Sequence, residues 1–451
     1  MRDGYPNRRW FVLILKLRKI SINQEILFIS RHMYSNDSNP VWAKGGHLVN
    51  DLLGIILAGG AGQRLQPLTS IRAKPAVPFG GKYRIIDFVL NNFINSGIQN
   101  IKILVQTLSQ PLINHVSNMW PSAPMYNCFV QSIPAQKRMG EDWYKSTADA
   151  VYQNLNMFRD NPKFNRAAIF SGDHVFKMDV SQLDRYHMDK CAEFTISAMV
   201  VKSELASRFG ILQVDNQCRV IGFEEKPEHP KEIPGRPGFC LTSMGNYIAN
   251  IPALIEVLSE DANVEKSTHD FGKDVIPFML KKGMRLFAYD FADNRVPGEE
   301  QVYWRDVGTI RSFWEANMDL VSIEPQLNLY NMLWPIKTSP DFTPPAKWVF
   351  RQSLLDNAII SGGCIVTQAE IGDSVLSQRV RVEKGSVIQE SVIFAGVTIS
   401  EGARIRRAII DKNVMIPPHT HIGYSPEEDE ARGFKVSEGI TVVPKNYVFA
   451  Q

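Results

Sequence analysis

The segment Gly54 to Thr69, GIILAGGAGQRLQPLT, leads from an apolar run into Gly59, Gly60 and Gly62 and then Arg64. Glycines let the backbone approach a phosphate closely with its N–H groups aimed at it, and an arginine adds a planar set of donors suited to a triphosphate. A dinucleotide fingerprint would need a third glycine after two intervening residues, where Leu65 stands, and a Walker loop would need Gly-Lys-Ser/Thr; neither occurs here. Taken alone, the glycines fit a ligand-free turn equally well. A second stretch, Ala167-Ala168-Ile169-Phe170-Ser171-Gly172-Asp173-His174, ends an apolar strand in a carboxylate, the place where open α/β sheets bind ligands. Asp173 is a candidate for Mg²⁺, which takes one or two carboxylates and fills the rest of its shell with phosphate oxygens and water. Spacing alone does not single out the second acid. A third stretch, Phe223-Glu224-Glu225-Lys226-Pro227, offers a point charge for a phosphate and acceptors for hydroxyls, although a solvated charged turn is its default reading.

These groups need a scaffold. From Leu52 onward, short apolar runs (53–58, 101–105, 167–170, 194–201) alternate with amphipathic stretches such as 148–158 and 310–321. That alternation predicts an α/β domain with a mixed, mostly parallel sheet. The stretch 335–346 holds Pro335, Pro340, Pro344 and Pro345 and reads as a linker. Beyond it aliphatic residues recur six apart, as in Ile365/Ile371, Val382/Ile388, Ile393/Ile399/Ile405 and Ile410/Ile416/Ile422. Six-residue spacing points to a parallel β-helix with irregular breaks; an antiparallel sheet of short strands is the alternative. The expected organisation is an N-terminal extension over 1–50, a catalytic domain over 51–334, a linker over 335–350 and a β-helix domain over 351–451.

The 451 residues exceed what one core supports, and 44% hydrophobic with 22% charged residues excludes disordered and coiled-coil chains. The net charge of +3 comes from the stretch 1–32, which holds seven Lys or Arg and two acids; the remainder, 43 basic against 45 acidic, is −2. A nucleic-acid partner loses its support on that count. Five widely spaced cysteines indicate neither a disulfide framework nor a C-x-x-C metal site, which fits a reducing cytoplasm. The apolar run Trp10–Leu15 is too short for a signal sequence or a membrane span. The stretch 1–32 reads as a poorly ordered extension, with Met33 as an alternative start.

The continuation Arg72-Ala73-Lys74-Pro75-Ala76-Val77-Pro78-Phe79-Gly80-Gly81-Lys82-Tyr83-Arg84-Ile85-Ile86-Asp87 resembles the sugar nucleotidyltransferases, specifically the glucose-1-phosphate adenylyltransferases of bacterial glycogen synthesis. The resemblance runs from about residue 52 to 434. It takes in Ser171-Gly172-Asp173-His174, Glu224-Glu225-Lys226-Pro227, Ser267 to Asp274, and Tyr303-Trp304-Arg305-Asp306-Val307-Gly308-Thr309. It implies a Rossmann-like catalytic domain with a left-handed parallel β-helix. It also implies that Arg64 and Lys74 hold the triphosphate and departing pyrophosphate, and that Asp306 partners Asp173 on Mg²⁺. Without the resemblance, Asp306 reads equally well as a helix N-cap. Carried over likewise, Lys226 grips glucose 1-phosphate, while Tyr144, Gly210, Glu225 and Ser243 line the sugar site; Ser243 and Tyr144 otherwise read as surface hydroxyls. Gly59, Gly60, Gly62 and Thr147 fall on the nucleotide side. ATP and glucose 1-phosphate are the implied substrates, with a homotetramer and phosphorylated metabolite effectors bound between the domains.

Two departures from the family pattern stand out. Ser146 replaces a glycine near the base, which bears on adenine preference. Ile71 and Pro78 replace a lysine and a histidine of effector-responsive members, whereas Arg72 and Arg84 are kept. Alternatives are another nucleotide-sugar pyrophosphorylase, using dTTP, UTP or GTP, and a non-catalytic regulatory subunit. An acyltransferase on the hexads would want a histidine base, and only His419 and His421 lie there, near the end.

Overall fold

The computed structural model describes residues 51–60, 62–120, 128–136, 143–207, 209–350 and 353–450. The expected 1–50 extension lies outside them, as does Arg208. No helix among the described residues is long and apolar enough to cross a membrane.

The strands of the main sheet are β1 (Leu52–Ala58), β2 (Asn100–Val105), β3 (Phe129–Pro134), β4 (Arg166–Ser171), β6 (Phe194–Lys202), β7 (Gly210–Val214), β8 (Val220–Glu225), β9 (Phe239–Asn250) and β10 (Leu286–Asp290). Two short strands, β5 (His174–Phe176) and β11 (Trp304–Asp306), form a separate ribbon. The sheet runs β8-β7-β9-β4-β1-β2-β3, with β6 pairing β9 and β10. Pairing is parallel from β4 through β1 and β2 to β3, and antiparallel where β9 meets β4, β6 and β7. The central strands are apolar along their length because both faces are covered: β1 has six buried residues among its seven. The helix expected over 148–158 is instead two pieces, α1 (Thr147–Tyr152) and Asn156–Arg159. The Asn154 side chain takes the Ala150 carbonyl, while the Asn154 and Leu155 N–H groups turn to carbonyls three residues back, so the helix tightens and breaks.

The C-terminal strands pair in parallel except for the closing pair Lys435–Ser437 and Ile440–Val443, so the antiparallel alternative falls. Ile371 pairs with Ile388, Ile388 with Ile405, and Ile405 with Ile422, so these central coils advance along the chain by the same step. The inward residues Ile371, Leu376, Val382, Ile388, Ile393, Ile399, Ile405, Ile410, Ile416 and Ile422 are all at most 2% exposed. Their spacings run five, six, six and repeat, so the hexad breaks once per coil because one corner is a residue shorter. At one corner Gln368, Gly385, Gly402 and His419, each one coil from the next, are all left-handed (φ 44°, 71°, 69° and 57°), where glycine is the unstrained residue.

The two parts share a core. Helix α2 (Ile310–Val321) lays Phe313 on Phe394 of the β-helix, ring centroids 6.3 Å apart, and the Trp314 indole N–H donates to the Glu390 carbonyl at 2.7 Å. Trp334 is buried in the irregular stretch before the β-helix, and Asn91 exchanges two hydrogen bonds with the Lys337 backbone, so this segment is packed down.

Candidate active site

Strand β4 delivers Asp173 past its carboxyl end, with Gly172 at the exit. A Cβ at Gly172 would lie 2.9 Å from Ile56 Cγ2 and 3.1 Å from the Leu57 carbonyl, so only glycine lets the chain turn there. The ribbon then does what sequence spacing cannot. Asp306 of β11 pairs opposite His174 of β5, which brings two acids from distant parts of the chain to one point. Asp306 caps nothing: Thr309 is the N-cap of α2, its hydroxyl accepting from the Ser312 N–H at 3.1 Å.

Lys74 binds both acids, its Nζ 2.9 Å from Asp173 Oδ2 and 3.0 Å from Asp306 Oδ1. The lysine is 5% exposed, whereas the two carboxylate side chains are about a third open, at 33% and 28%. Burial alone would push the Lys74 ammonium down, but the facing carboxylates outweigh it and the net shift is upward. Burial likewise works to raise Asp173, and Lys74, His174 and the Ser171 hydroxyl together hold its carboxyl far below the ordinary range. Asp173 is therefore ionised at any physiological pH.

The glycine loop closes over this cluster. Gly62 is left-handed (φ 61°), its carbonyl accepts the Thr69 hydroxyl at 2.8 Å, and a Cβ there would press on Lys74 Cβ at 3.1 Å. A Cβ at Gly60 would meet nothing within 4 Å, so that backbone faces open space. Exposed Arg64 follows in a 3₁₀ turn. A Cβ at Gly308 would lie 2.8 Å from Asp306 Oδ1 and 3.0 Å from Arg64 Nη2, so guanidinium and carboxylate converge above that glycine. Arg64, Lys74, Asp173 and Asp306 thus form one constellation.

On its other side stand the sugar-side candidates. Because β9 runs antiparallel to β4, its first half overshoots the end of β4 and carries Ser243 toward the same face as Asp173. Glu225 ends β8; a Cβ at Gly210 would come 2.9 Å from its Oε2, and one at Gly272 would come 2.7 Å from it. Lys226 is left-handed (φ 49°), exposed, and 2.9 Å from Glu225 Oε1. Tyr247 lies among these groups: burial raises its hydroxyl strongly, a Ser243 hydrogen bond lowers it, and the Asp270 and Glu225 carboxylates raise it further. Phe209 packs on Trp304 (5.7 Å), which also meets His174 edge-on (4.9 Å), so the Gly210 segment abuts the ribbon bearing Asp306.

Tyr144 stands apart from the expected lining role. It is 8% exposed, and its hydroxyl accepts from buried Asn154 at 2.8 Å, so it belongs to the wall behind the cleft. Thr147 begins α1, with its hydroxyl donating to Asp270 Oδ2 at 3.0 Å and accepting from the Phe271 N–H at 3.1 Å. The Ser146 hydroxyl reaches the same Asp270 oxygen at 2.9 Å, so this departure from the family pattern adds a tie to the helix start. The sequence alone does not single out Asp270, Gly272 and Gly308. All three lie in matching segments, but their roles depend on groups remote in the chain.

Arg72, expected as an effector ligand, is tied through Nη2 to the β-helix, while its buried Nη1 has no hydrogen-bond partner among the described residues. Its Nη2 is 3.0 Å from both Asp411 carboxylate oxygens, both residues are buried, and it joins the catalytic domain to the β-helix. Arg84, by contrast, lines an interdomain cavity of about 330 Å³ together with Lys82, Arg379, Lys412, His115 and Ser339. Burial pushes Lys412 down to about 8, helped by Arg84 and Arg72.

The chain belongs to the nucleotidyl transferase family, whose model matches residues 53–323; a second, described as GlmU-like C-terminal hexapeptide, matches residues 344–443, the left-handed β-helix. Within that family it is similar to proteins named glucose-1-phosphate adenylyltransferase. That of Thermus thermophilus is 51% identical over 412 residues, covering 88% of this chain and 99% of the relative. The relative from Deinococcus radiodurans is 46% identical over 410 residues (88% and 99%), and that from Anaeromyxobacter is 46% identical over 405 residues (87% and 98%).

Proposed function

We propose that the protein transfers the adenylyl group of ATP to glucose 1-phosphate, giving ADP-glucose and pyrophosphate. The observation that carries this reading is the convergence of Lys74, Asp173, Asp306 and Arg64 at the mouth of the glycine loop, beside the Glu225–Lys226 turn. ATP lies over Gly59, Gly60 and Gly62, with the α1 start at Thr147 on the base side. Glucose 1-phosphate is held through its phosphate by Lys226 and through its hydroxyls by Glu225 and Ser243, with Gly210 leaving them room.

A phosphate oxygen of the sugar ester attacks the α-phosphorus in line as the bond to the β-phosphate bridging oxygen breaks. The nucleophile is already an anion, so no side chain has to take a proton. Arg64 and Lys74 offset the charge growing on the departing pyrophosphate. The hard oxygen donors of Asp173 and Asp306, partly open to the cleft, fit Mg²⁺, which when bound would supply further neutralisation of the triphosphate. The intact carboxylate–lysine cluster disfavours a non-catalytic subunit.

The reading extends to regulation and assembly. Arg84, Lys412 and Arg379 make the interdomain cavity a site for a phosphorylated effector, with Arg72 joining the domains beside it. The first β-helix coil, Lys347–Val349 and Leu354–Ile360, pairs on one side only among the described residues and exposes Trp348 and Leu354, which supports self-association into the homotetramer. The work is divided, in the cytoplasm, between a catalytic unit over 51–334 and a β-helix whose first strand, Lys347–Val349, already lies within the stretch 335–350 expected as linker.

The test is pyrophosphate release by the purified protein with glucose 1-phosphate, Mg²⁺ and each of ATP, dTTP, UTP and GTP. ATP is expected to give the highest kcat/KM. A faster reaction with another triphosphate, or none with any, would overturn the assignment.

A further inference from the structure

Lys74 faces two demands that a single ammonium cannot meet at once. Its Nζ is within 3.0 Å of a carboxylate oxygen on each side, Asp173 Oδ2 and Asp306 Oδ1, and those two acids are the metal candidates of the preceding section. The side chain is 6% exposed and its stem is held under Gly62, so the contact is a packed feature and not a surface pairing. Two ionised carboxylates brought together by the β5/β11 ribbon repel unless a cation lies between them, and the protein supplies one of its own.

We propose that Lys74 is a built-in rival of the divalent cation: it holds the Asp173–Asp306 pair in register and must yield at least one of those oxygens when metal binds. The inference rests on the reading of Asp173 and Asp306 as metal ligands. Displacement from the carboxylates leaves the ammonium free to turn to triphosphate oxygens in the same cleft, so metal binding and lysine delivery become one event. It also means that the intrinsic affinity of the carboxylate pair for metal is masked by the lysine.

The experiment measures Mn²⁺ binding to the full-length protein without nucleotide, by the loss of the free Mn²⁺ paramagnetic resonance signal. Wild type, Lys74→Gln, Lys74→Met and Lys74→Arg are compared, with thermal unfolding followed in parallel. Removing the rival charge should tighten Mn²⁺ binding roughly tenfold to a hundredfold in the Gln and Met variants, the worth of hydrogen bonds to a charged group. Lys74→Arg should show no such gain. Unchanged or weaker binding in Lys74→Gln and Lys74→Met overturns the proposal. Should those two variants fold only when Mn²⁺ is added, the metal has replaced the ammonium and the proposal stands; failure to fold with or without Mn²⁺ counts against it. Asp173→Asn and Asp306→Asn separate the two layers. If they lose Mn²⁺ binding while the lysine variants show no gain, the rivalry is wrong and the metal assignment survives; if they keep it, the metal assignment itself is wrong.

Discussion

Adding one methyl group at Gly210 should damage glucose 1-phosphate binding and little else. A Cβ there would lie 2.4 Å from Phe223 Cζ, 3.0 Å from Phe223 Cε2 and 2.9 Å from Glu225 Oε2, whereas ordinary contact begins near 3.4 Å. The ring must therefore give way by about 1 Å, and overpacking of this size costs about 1–3 kcal/mol. Among the described residues strand β8 is at the sheet edge and pairs only with β7, from Val220↔Val214 to Glu225↔Gly210, so displacing Phe223 shifts the end of the strand that carries Glu225 and Lys226. Misplacing substrate-holding groups by about 1 Å costs up to about a hundredfold. Steady-state kinetics of Gly210→Ala should show the KM for glucose 1-phosphate raised roughly tenfold to a hundredfold, with the KM for ATP within about twofold of wild type. A wild-type KM for glucose 1-phosphate, or equal rises for both substrates, would refute the placement of Gly210 against the sugar-binding turn.

Other expectations follow from the same geometry. Lys226→Ala should raise the KM for glucose 1-phosphate on the order of tenfold or more while kcat holds, whereas Asp173→Asn should lower kcat on the order of a hundredfold; matching effects of the two on both constants would contradict the assigned roles. Asp411→Asn strands buried Arg72 without its counter-charge and should cost about 3–5 kcal/mol in urea unfolding, largely recovered by pairing Arg72→Met with Asp411→Leu; a loss under about 1 kcal/mol would show the joint to be dispensable. Lys412, at about 8 in the folded chain against 10.5 ordinarily, carries fewer protons folded than unfolded between those values, so its contribution to stability improves as pH rises through that window. The same loss of charge should weaken inorganic phosphate binding in the interdomain cavity as pH passes about 8, seen by calorimetry, and Lys412→Met should flatten that dependence.

Much of this architecture is readable in the sequence because it is local. Apolar runs locate β1, β2, β4 and β6 to within a residue or so, since a strand buried on both faces needs an unbroken apolar stretch. The hexads are legible for the same reason, and their irregularity is the single shortened step, as from Ile371 to Leu376, that recurs once in every coil. What stays hidden is whatever depends on remote partners. Asp306 meets Asp173 only through the β5/β11 ribbon, and Gly308 matters only because Arg64 and Asp306 converge on it. Tyr144 and Arg72 carry family motifs faithfully, yet the Tyr144 hydroxyl and Arg72 Nη2 are engaged by Asn154 and Asp411, residues that no local pattern connects to them.

The placement of Arg72 and α2 gives the β-helix a physical hold on the chemistry. Arg72, fixed to Asp411, is two residues before Lys74; Asp306 is four residues before α2, whose Phe313 and Trp314 rest on Phe394 and the Glu390 carbonyl. The lysine and one of the two acids it bridges are thus each tied to the β-helix by a short connection, while Asp173 is joined to the central sheet through β4 and to Asp306 through the β5/β11 ribbon. A shift of the β-helix against the sheet therefore reaches Lys74 through Arg72, and the Asp306–Asp173 pair through α2 and the ribbon. Lys74 and the acid pair are reached by separate connections, so the lysine–carboxylate contacts are where a change of interdomain geometry would be felt in the cleft.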